Sequence, residues 1–293
     1  MQAAGTQWIT YPSRKTEVRI WHLSDLHWMS ESCAEGKLKS DIQEIADDPN
    51  AFWTGGGDYA EFIGYRDKRF DPDAVAKRIT VQQLGRLAQV GYHEVRDLFL
   101  PIRHKCLGLL QGNHERQYEL HTEQQHWTTW LCKELDVLNL GYCALFDVVL
   151  RRAPSAKVPK LLKDAPKHDG ASCNSWKVRF FAHHGAGFAQ TPGGKMNRLV
   201  QFMNSFEADV YMAGHVHDQI GRRQPIIAAN ALCTELQTRD RVGIVSGSYL
   251  KTYALGTTSY GEQKGYPPVN LGAASVTLVP GNGSKPNRIK AEV

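Results

Sequence analysis

Five short apolar stretches of this 293-residue chain end abruptly in polar residues, most of which lie beside glycine. The stretches have the patterns of β-strands, and strands are predicted over 17–24, 51–54, 105–110, 176–182 and 208–213. The polar segments that follow them are Asp25-Leu26-His27, Gly57-Asp58, Gly112-Asn113-His114, His183-His184 and Gly214-His215-Val216-His217. Because ligands bind outside the carboxyl ends of the strands in α/β sheets, these side chains are expected along one rim.

The segments between these strands predict an α/β (α+β) chain. Helices are predicted from Asp71-Pro72, over 119–135 and over 196–206, and further strands over 143–150, 241–246 and 273–279. Residues 151–175 are rich in Pro, Lys and Ala and are predicted as a long loop or hairpin excursion. Residues 281–293 are predicted as a polar tail of low order.

The composition argues against several functional classes. The formal net charge is +5 and hydrophobic residues make up 42% of the chain, which suits a soluble protein and falls short of a dedicated nucleic-acid binder. No window approaches eighteen apolar residues, and residues 1–15 have no apolar core, so neither a membrane span nor a signal peptide is predicted. The six cysteines form no C-x-x-C pair. They are predicted to be free thiols, and the default location is cytoplasmic.

The residue types at the strand ends suit a pair of metal ions. The candidate ligands are two carboxylates, one amide and four imidazoles, from Asp25, His27, Asp58, Asn113, His183, His215 and His217. A nitrogen and oxygen set without thiolates suits Mn, Fe, Zn, Co or Ni and argues against a structural zinc site. Seven ligands are too many for one tetrahedral ion. Two ions that share a bridge can hold both the attacking and the leaving oxygen of a displacement at phosphorus.

Each of these motifs alone is a weak signal. On a strand, His215 and His217 would point to the same face because side chains alternate, whereas in a turn they need not. Asparagine beside glycine, as in Gly112-Asn113, usually marks a turn. Four such pieces in order, each after a predicted strand, favour a metal site over a chance set of turn residues and core histidines.

The ordered motifs resemble those of the calcineurin-like metallophosphoesterases. Proteins of that family carry D-x-H, G-D, G-N-H followed by an acid, a histidine after a strand, and G-H-x-H. This chain has the same order over residues 20–217, with Glu115 as the acid after His114. The resemblance implies a single domain over residues 1–293. Its fold would be a four-layer β-sandwich of two mixed sheets flanked by helices, which residues 218–280 complete.

The resemblance also implies a role for each residue. The two ligand sets would be Asp25, His27, Asp58 and His217 for one metal, and Asp58, Asn113, His183 and His215 for the other. His114 would lie over the site as a general acid or phosphate contact, oriented by Glu115. In the pair of adjacent histidines His183 is the expected ligand. His184 replaces it if the register is shifted by one, since successive strand residues face opposite ways.

The chain departs from two branches of that family. In the Ser/Thr protein phosphatases an arginine usually precedes G-N-H-E and D-R-G follows the second motif, but Gln111 and Tyr59-Ala60-Glu61-Phe62 occupy these places here. Arginine is the preferred residue for bidentate phosphate binding, so phosphoprotein substrates are not expected. Only residues 218–293 follow the last motif, which is too little for the capping domain of the repair nucleases.

The predicted function is hydrolysis of a phosphoester by a metal-activated water, with two divalent ions, Mn foremost, as cofactors. A phosphodiester of a nucleotide or nucleic acid is the expected substrate. A phosphomonoester is the alternative, a non-catalytic scaffold is a more distant one, and no membrane partner is expected. Weak candidates for substrate contact are His184 and Tyr249. Arg222-Arg223 and Arg239-Asp240-Arg241 could bind phosphate or be ordinary solvated residues.

Overall fold

The computed structural model describes residues 1–63, 70–122, 126–166, 175–187, 189–230, 232–281 and 286–293, with the backbone alone at residues 122 and 260. Within these ranges, thirteen strands form two mixed sheets. In chain order they are β1 (Gln2–Tyr11), β2 (Val18–Leu23), β3 (Ala51–Gly55), β4 (Cys106–Leu110), β5 (Asn139–Gly141), β6 (Cys143–Arg152), β7 (Lys160–Leu162), β8 (Ser175–His183), β9 (Val210–Ala213), β10 (Ile220–Ala229), β11 (Leu236–Val245), β12 (Ala274–Val279) and β13 (Arg288–Glu292).

Both sheets contain a block of adjacent parallel strands. The six-stranded sheet has the order β13-β12-β2-β3-β4-β5, in which β2 to β5 are parallel and β12 and β13 are added antiparallel. The seven-stranded sheet has the order β10-β11-β9-β8-β6-β1-β7, in which β8, β9 and β11 are parallel. Five of these parallel strands, β2, β3, β4, β8 and β9, run into the predicted polar segments.

The alternation of side chains along the strands builds the core between the sheets. In β3, Phe52 faces the seven-stranded sheet, whereas Trp53 faces the opposite way. In β8, Phe180 faces the six-stranded sheet, whereas Phe181 faces outward. Each sheet therefore presents one apolar face to the other sheet and a second apolar face that helices must cover.

Helices cover both outer faces. The described helices are α1 (Glu35–Asp47), α2 (Val81–Leu84), α3 (Leu87–Phe99), α4 (Asn113–Thr122), α5 (Trp127–Leu135), α6 (Pro192–Ser205) and α7 (Tyr260–Gln263). Apolar residues of α1, α3 and α5 pack on the outer face of the six-stranded sheet, and those of α6 pack on the outer face of the seven-stranded sheet. The order helix, sheet, sheet, helix confirms the predicted four-layer sandwich.

Several predictions outside the polar motifs are wrong. Residues 119–135, predicted as one helix, belong to α4 and α5, with 123–125 outside the described residues. Asp71 caps only a 3-10 turn, Pro72–Ala74, in which its side chain accepts the Asp73 N–H at 2.9 Å. The predicted loop 151–175 contains β7, and part of the predicted polar tail forms β13. Strands β1 and β10 have no counterpart among the predictions.

The thiols agree with the prediction as far as the structure describes them. Cys33, Cys106, Cys132 and Cys143 are buried and free, and Cys233 is exposed and free, while Cys173 lies outside the described residues. Within the described ranges, no helix combines the length and the apolar character needed to cross a bilayer.

Candidate metal centre

Loops from both sheets meet at the carboxyl ends of their parallel strands. In the six-stranded sheet, Asp25 follows β2, Asp58 follows β3 and Asn113 follows β4. In the seven-stranded sheet, His184 follows β8 and His215 follows β9. The possible ligand atoms fall into groups within 4.8 Å of one another, of which two are Asp25, Asp58, His184 and His215, and Asp25, His27 and His217. The structure thus brings together six of the seven predicted ligands, all except His183.

The backbone of these loops is strained. Only eight described residues other than glycine have φ in the left-handed region, and five of them are predicted ligands: Asp25, His27, Asp58, His215 and His217. Left-handed φ is unfavourable for residues with a Cβ and persists where the surrounding structure imposes it. The loops also pack so closely that a Cβ at Gly112 would collide with the Asp58 carboxylate, and one at Gly214 with the Ser24 hydroxyl. These glycines are therefore required for the approach of one loop to the next.

Each buried aspartate has one oxygen held by the protein and one directed at the cluster. Asp25 Oδ2 accepts the Ser24 hydroxyl at 2.5 Å and the His215 N–H at 2.8 Å. Asp25 Oδ1 is buried and accepts no hydrogen bond within the described part of the chain. Asp58 Oδ1 accepts the His114 N–H at 2.9 Å, which leaves Oδ2 facing the cluster. A buried carboxylate oxygen without a donor is costly unless a cation neutralises it.

Two imidazole nitrogens and one carboxylate oxygen converge on the side-chain oxygen of Asn113, and all three are acceptors when the two nitrogens are unprotonated, as metal binding requires. This oxygen lies 2.9 Å from His184 Nε2, 2.8 Å from His215 Nδ1 and 3.3 Å from Asp58 Oδ2. Turning the amide by 180° would bring its NH₂ group to the same place, but two hydrogens cannot serve three acceptors. One cation would satisfy all four atoms together. The donor set therefore fits a divalent ion at this position.

A second group of atoms converges on Oδ1 of Asp25. His217 Nε2 lies 3.3 Å from Asp25 Oδ1 and 3.3 Å from His27 Nε2. One carboxylate and two imidazoles suit a second divalent ion. His217 is 24% exposed on its side chain while Asp25 is fully buried, so this second position lies nearer to solvent.

Hydrogen bonds on the far side of two imidazoles fix their orientation. His27 Nδ1 contacts Glu61 Oε2 at 2.9 Å, and His184 Nδ1 donates to the Gly56 carbonyl at 2.8 Å. With the proton at Nδ1, the lone pair at Nε2 points into the cluster in both residues. A histidine bound to a metal typically donates its other N–H to a carboxylate or a backbone carbonyl in this way.

The structure places His184 in the cluster and His183 outside it. His183 is the last residue of β8 and shares the outward face with Phe181, where its ring stacks on Phe202 of α6 with centroids 4.8 Å apart. Its Nδ1 accepts the Gly185 N–H at 2.8 Å. Burial lowers the pKa of His183 to about 4, so the ring is neutral. The prediction of His183 as a ligand is corrected to the alternative register.

Glu61, which the sequence analysis did not assign a role, orients two histidines at once. Its Oε1 lies 3.1 Å from His114 Nδ1, while Oε2 contacts His27. Glu115, predicted to orient His114, accepts instead the backbone N–H groups of Gly112, Asp58 and Tyr59 at 2.9, 3.0 and 2.7 Å. Glu115 thus ties the loop after β3 to the loop after β4. The signal in the sequence that could have indicated this role is the position of Glu61, three residues after the predicted ligand Asp58.

The charges of the cluster stabilise one another. Burial disfavours the charge on Asp58, but the imidazoles of His184 and His114 outweigh it and hold the pKa of this carboxyl well below its usual range. Burial also opposes protonation of His114, yet Glu61 and Asp58 raise its pKa to about 10. The imidazole of His114 is 13% exposed. It therefore combines access to solvent with a proton that it holds at neutral pH.

The weaker candidates for substrate contact have other partners in the structure. Tyr249 is fully buried in the core, where its hydroxyl donates to Asp41 Oδ2 at 2.8 Å, so it is not a substrate contact. His184 belongs to the cluster itself. The four arginines of β10 and β11 lie on a two-stranded ribbon that runs away from the cluster, and three of them have protein partners: Arg223 with Asp240, Arg239 with Asp209, and Arg241 with the Met203 carbonyl.

Comparisons with known proteins add little to this geometry. No protein-family model matches the sequence, and neither does any curated protein. Among solved structures, Chaetomium thermophilum Vps29 superposes with a TM-score of 0.35 and 8% identity, over 94% of this chain and 95% of that one. Haemophilus influenzae NAD nucleotidase (NadN) superposes with a TM-score of 0.38 and 11% identity, over 94% of this chain and 49% of that one. Similarities this low carry no argument about activity, so the function must be argued from the cluster.

Proposed function

We propose that this chain is a metal-dependent phosphoesterase of the calcineurin-like type. The observation that carries the proposal is the convergence of carboxylate, amide and imidazole ligand atoms from both sheets in one buried cluster. Asn113 Oδ1, Asp58 Oδ2, His184 Nε2 and His215 Nδ1 face one another, and Asp25 Oδ1 is buried and accepts no hydrogen bond from the described residues, with His217 Nε2 3.3 Å away. Buried polar side chains grouped in this way are stabilised more by a bound cation than by contacts with one another.

The residues divide between two ions. Asn113, Asp58, His184 and His215 would hold one divalent ion, and Asp25, His27 and His217 the other, with Asp58 near enough to serve both. When bound, such ions neutralise charge on the phosphoryl group and lower the pKa of a bound water. Mn is the first choice among metals that accept nitrogen and oxygen ligands, with Fe, Zn, Co and Ni as alternatives.

The chain itself supplies an acid beside the two ions. His114 carries a proton at neutral pH because Glu61 and Asp58 surround it, and its Nδ1 faces Glu61 Oε1 at 3.1 Å, which leaves Nε2 as the atom available to donate. Its ring lies 4.8 Å from that of His27, which places it at the edge of the metal centre. His114 would protonate the leaving oxygen, a role that matters most for poor leaving groups. A phosphodiester of a nucleotide or nucleic acid is the proposed substrate, with phosphomonoesters as the alternative.

The test compares two chromogenic esters after chelation and readdition of Mn²⁺. We expect the wild-type protein to hydrolyse bis-p-nitrophenyl phosphate in a metal-dependent way and Asp58→Asn to lose at least about a hundredfold in rate, as expected when a shared metal ligand is removed. A higher rate on p-nitrophenyl phosphate than on the diester would select the monoesterase. Absence of turnover on both esters in wild-type protein that binds Mn²⁺ would contradict the proposed activity.

A further inference from the structure

An unpaired arginine lies beside the loop that carries the cluster histidine of β8. Arg198 of α6 is exposed and makes no hydrogen bond or ion pair within the described residues. Its guanidinium stands over the backbone of Gly187, where a Cβ would lie 3.8 Å from Nη2 and 4.0 Å from Nε. The side chains of a helix lean toward its N-terminus, so Arg198 reaches back toward the loop from which α6 starts.

The Gly187 loop connects this arginine with the metal centre. Gly185 packs so closely on the β9 loop that a Cβ there would lie 2.5 Å from the Cβ of His215. Gly187 is two residues further along, so at most about 7 Å of chain separates its Cα from that of Gly185. The arginine therefore lies on the rim of the cluster, on the side of His184 and His215.

A second donor lies near Arg198. His183 accepts the Gly185 N–H at Nδ1, so the proton of its neutral ring is at Nε2. The ring is partly exposed, and no hydrogen bond from Nε2 is present within the described residues. Phe202 stacks on the ring and holds it in place. Phe202 lies four residues after Arg198, one turn along α6, so Arg198 and the ring that stacks on Phe202 lie on the same side of the helix.

The neighbouring lysine of α6 differs from Arg198 in having a carboxylate partner. Lys195 lies one turn before Arg198 and is nearly buried, and its Nζ contacts Asp218 Oδ2 at 3.4 Å. Asp218 follows His217 directly, so Lys195 serves to hold α6 against that loop. Among the described residues Arg198 has no corresponding carboxylate, and a guanidinium that lacks one is free to bind a planar anion in two hydrogen bonds.

We infer that Arg198 and His183 form a binding position for a second phosphate group, next to the phosphoester that is hydrolysed. This inference rests on the proposed function and narrows it to substrates with two phosphate groups. The second group would be joined either directly, as in a nucleoside diphosphate, or through a sugar, as in a nucleic-acid backbone. The chain lacks the arginines that grip phosphate in the protein phosphatases, at position 111 and after Asp58, and Arg198 would supply that contact from a different element.

The test uses two esters that differ only in one phosphate. Both are the p-nitrophenyl ester of thymidine 5′-phosphate, and one of them also carries a 3′-phosphate. We expect Arg198→Ala to raise KM for the 3′-phosphorylated ester roughly tenfold with little change in kcat, and to leave the other ester unaffected. Arg198→Lys should restore part of the affinity, since it keeps the charge and loses the two-pronged geometry. His183→Phe should also raise KM, because it keeps the stacking on Phe202 and removes the Nε2 donor.

The directly linked phosphate is tested with inorganic pyrophosphate, whose binding to the wild-type protein and to Arg198→Ala is measured by calorimetry. A roughly tenfold weaker binding in the variant, with binding of inorganic phosphate unchanged, would support a diphosphate substrate. Arg222→Ala is the matched control, since Arg222 is also exposed and forms no ion pair with the residues that the structure describes, but lies on β10. If Arg198→Ala changes neither the KM for the 3′-phosphorylated ester nor the affinity for pyrophosphate, the proposed second phosphate position does not exist. This result would leave the proposed function intact, provided that the protein still hydrolyses esters in a metal-dependent way. Because calorimetry needs no turnover, it tests the second phosphate position even if the protein hydrolyses neither ester.

Discussion

A single carboxylate connects a predicted metal ligand with the predicted acid. Glu61 is 15% exposed and contacts His27 Nδ1 at 2.9 Å and His114 Nδ1 at 3.1 Å. Burial disfavours its charge, but the two imidazoles outweigh this and hold the pKa of Glu61 well below its usual range. A permanently charged group in this position orients both rings and favours the protonated form of His114.

Replacing that charge should impair metal binding and catalysis together. In Glu61→Gln the side chain keeps its shape but can present only one oxygen to two imidazoles. We expect Mn²⁺ affinity to fall roughly 10–100-fold, the range typical of groups that orient a metal ligand. Turnover of esters with poor leaving groups should fall further than turnover of p-nitrophenyl esters. Glu94→Gln is the control, because Glu94 accepts from Trp28 Nε1 and Arg78 Nη2, both outside the cluster. Equal behaviour of the two variants would contradict the role of Glu61.

At the scale of elements, the end of β8 decides which histidine joins the cluster. Side chains alternate along the strand, so the face that holds Phe181 also holds His183, and α6 covers this face. His184 follows the strand, turns the other way and is fully buried beside Asp58 and Asn113. The two adjacent imidazoles therefore have separate surroundings and separate functions.

The two histidines are separable by substitution. We expect His184→Ala to reduce Mn²⁺ affinity by more than the roughly 10–100-fold loss typical of a group that only orients a ligand. His183→Ala should bind Mn²⁺ as the wild-type protein does, since its ring nitrogens do not enter the cluster. Isothermal titration with Mn²⁺ measures both variants. A loss in His183→Ala with normal binding in His184→Ala would restore the original prediction and contradict the register of β8 in the structure.

The sequence was most informative where a buried strand runs into a polar segment. Strands β2, β3, β4, β8 and β9 were predictable because each contains a run of buried apolar residues and is followed by Asp, His or Asn. Strand β10 was not, because only Ile220 of its ten residues is buried. Strand β13 alternates weakly at the sheet edge. The choice between His183 and His184 depends on which face α6 covers, and local sequence does not contain that information.

At the scale of the whole molecule, the metal centre belongs to neither sheet alone. The six-stranded sheet delivers Asp25, Asp58 and Asn113, and the seven-stranded sheet delivers His184, His215 and His217. The packing of one sheet on the other therefore assembles the site and imposes the strained conformation of its loops. Two divalent ions bound across the sheets would in turn stabilise the folded chain against unfolding.

The most direct test of the account is the Mn²⁺ content of the protein, measured by mass spectrometry after chelation, readdition of Mn²⁺ and dialysis. The account predicts about two ions per chain in the wild-type protein, as two clustered ligand sets require. Asp58→Asn should hold at most about one ion, because this side chain lies near both sets. Asp147→Asn, whose native carboxylate pairs with Arg179 outside the cluster, should retain the wild-type content. A wild-type protein without bound Mn²⁺, Zn²⁺ or Fe²⁺, or an Asp58→Asn variant with the full content, would contradict the account.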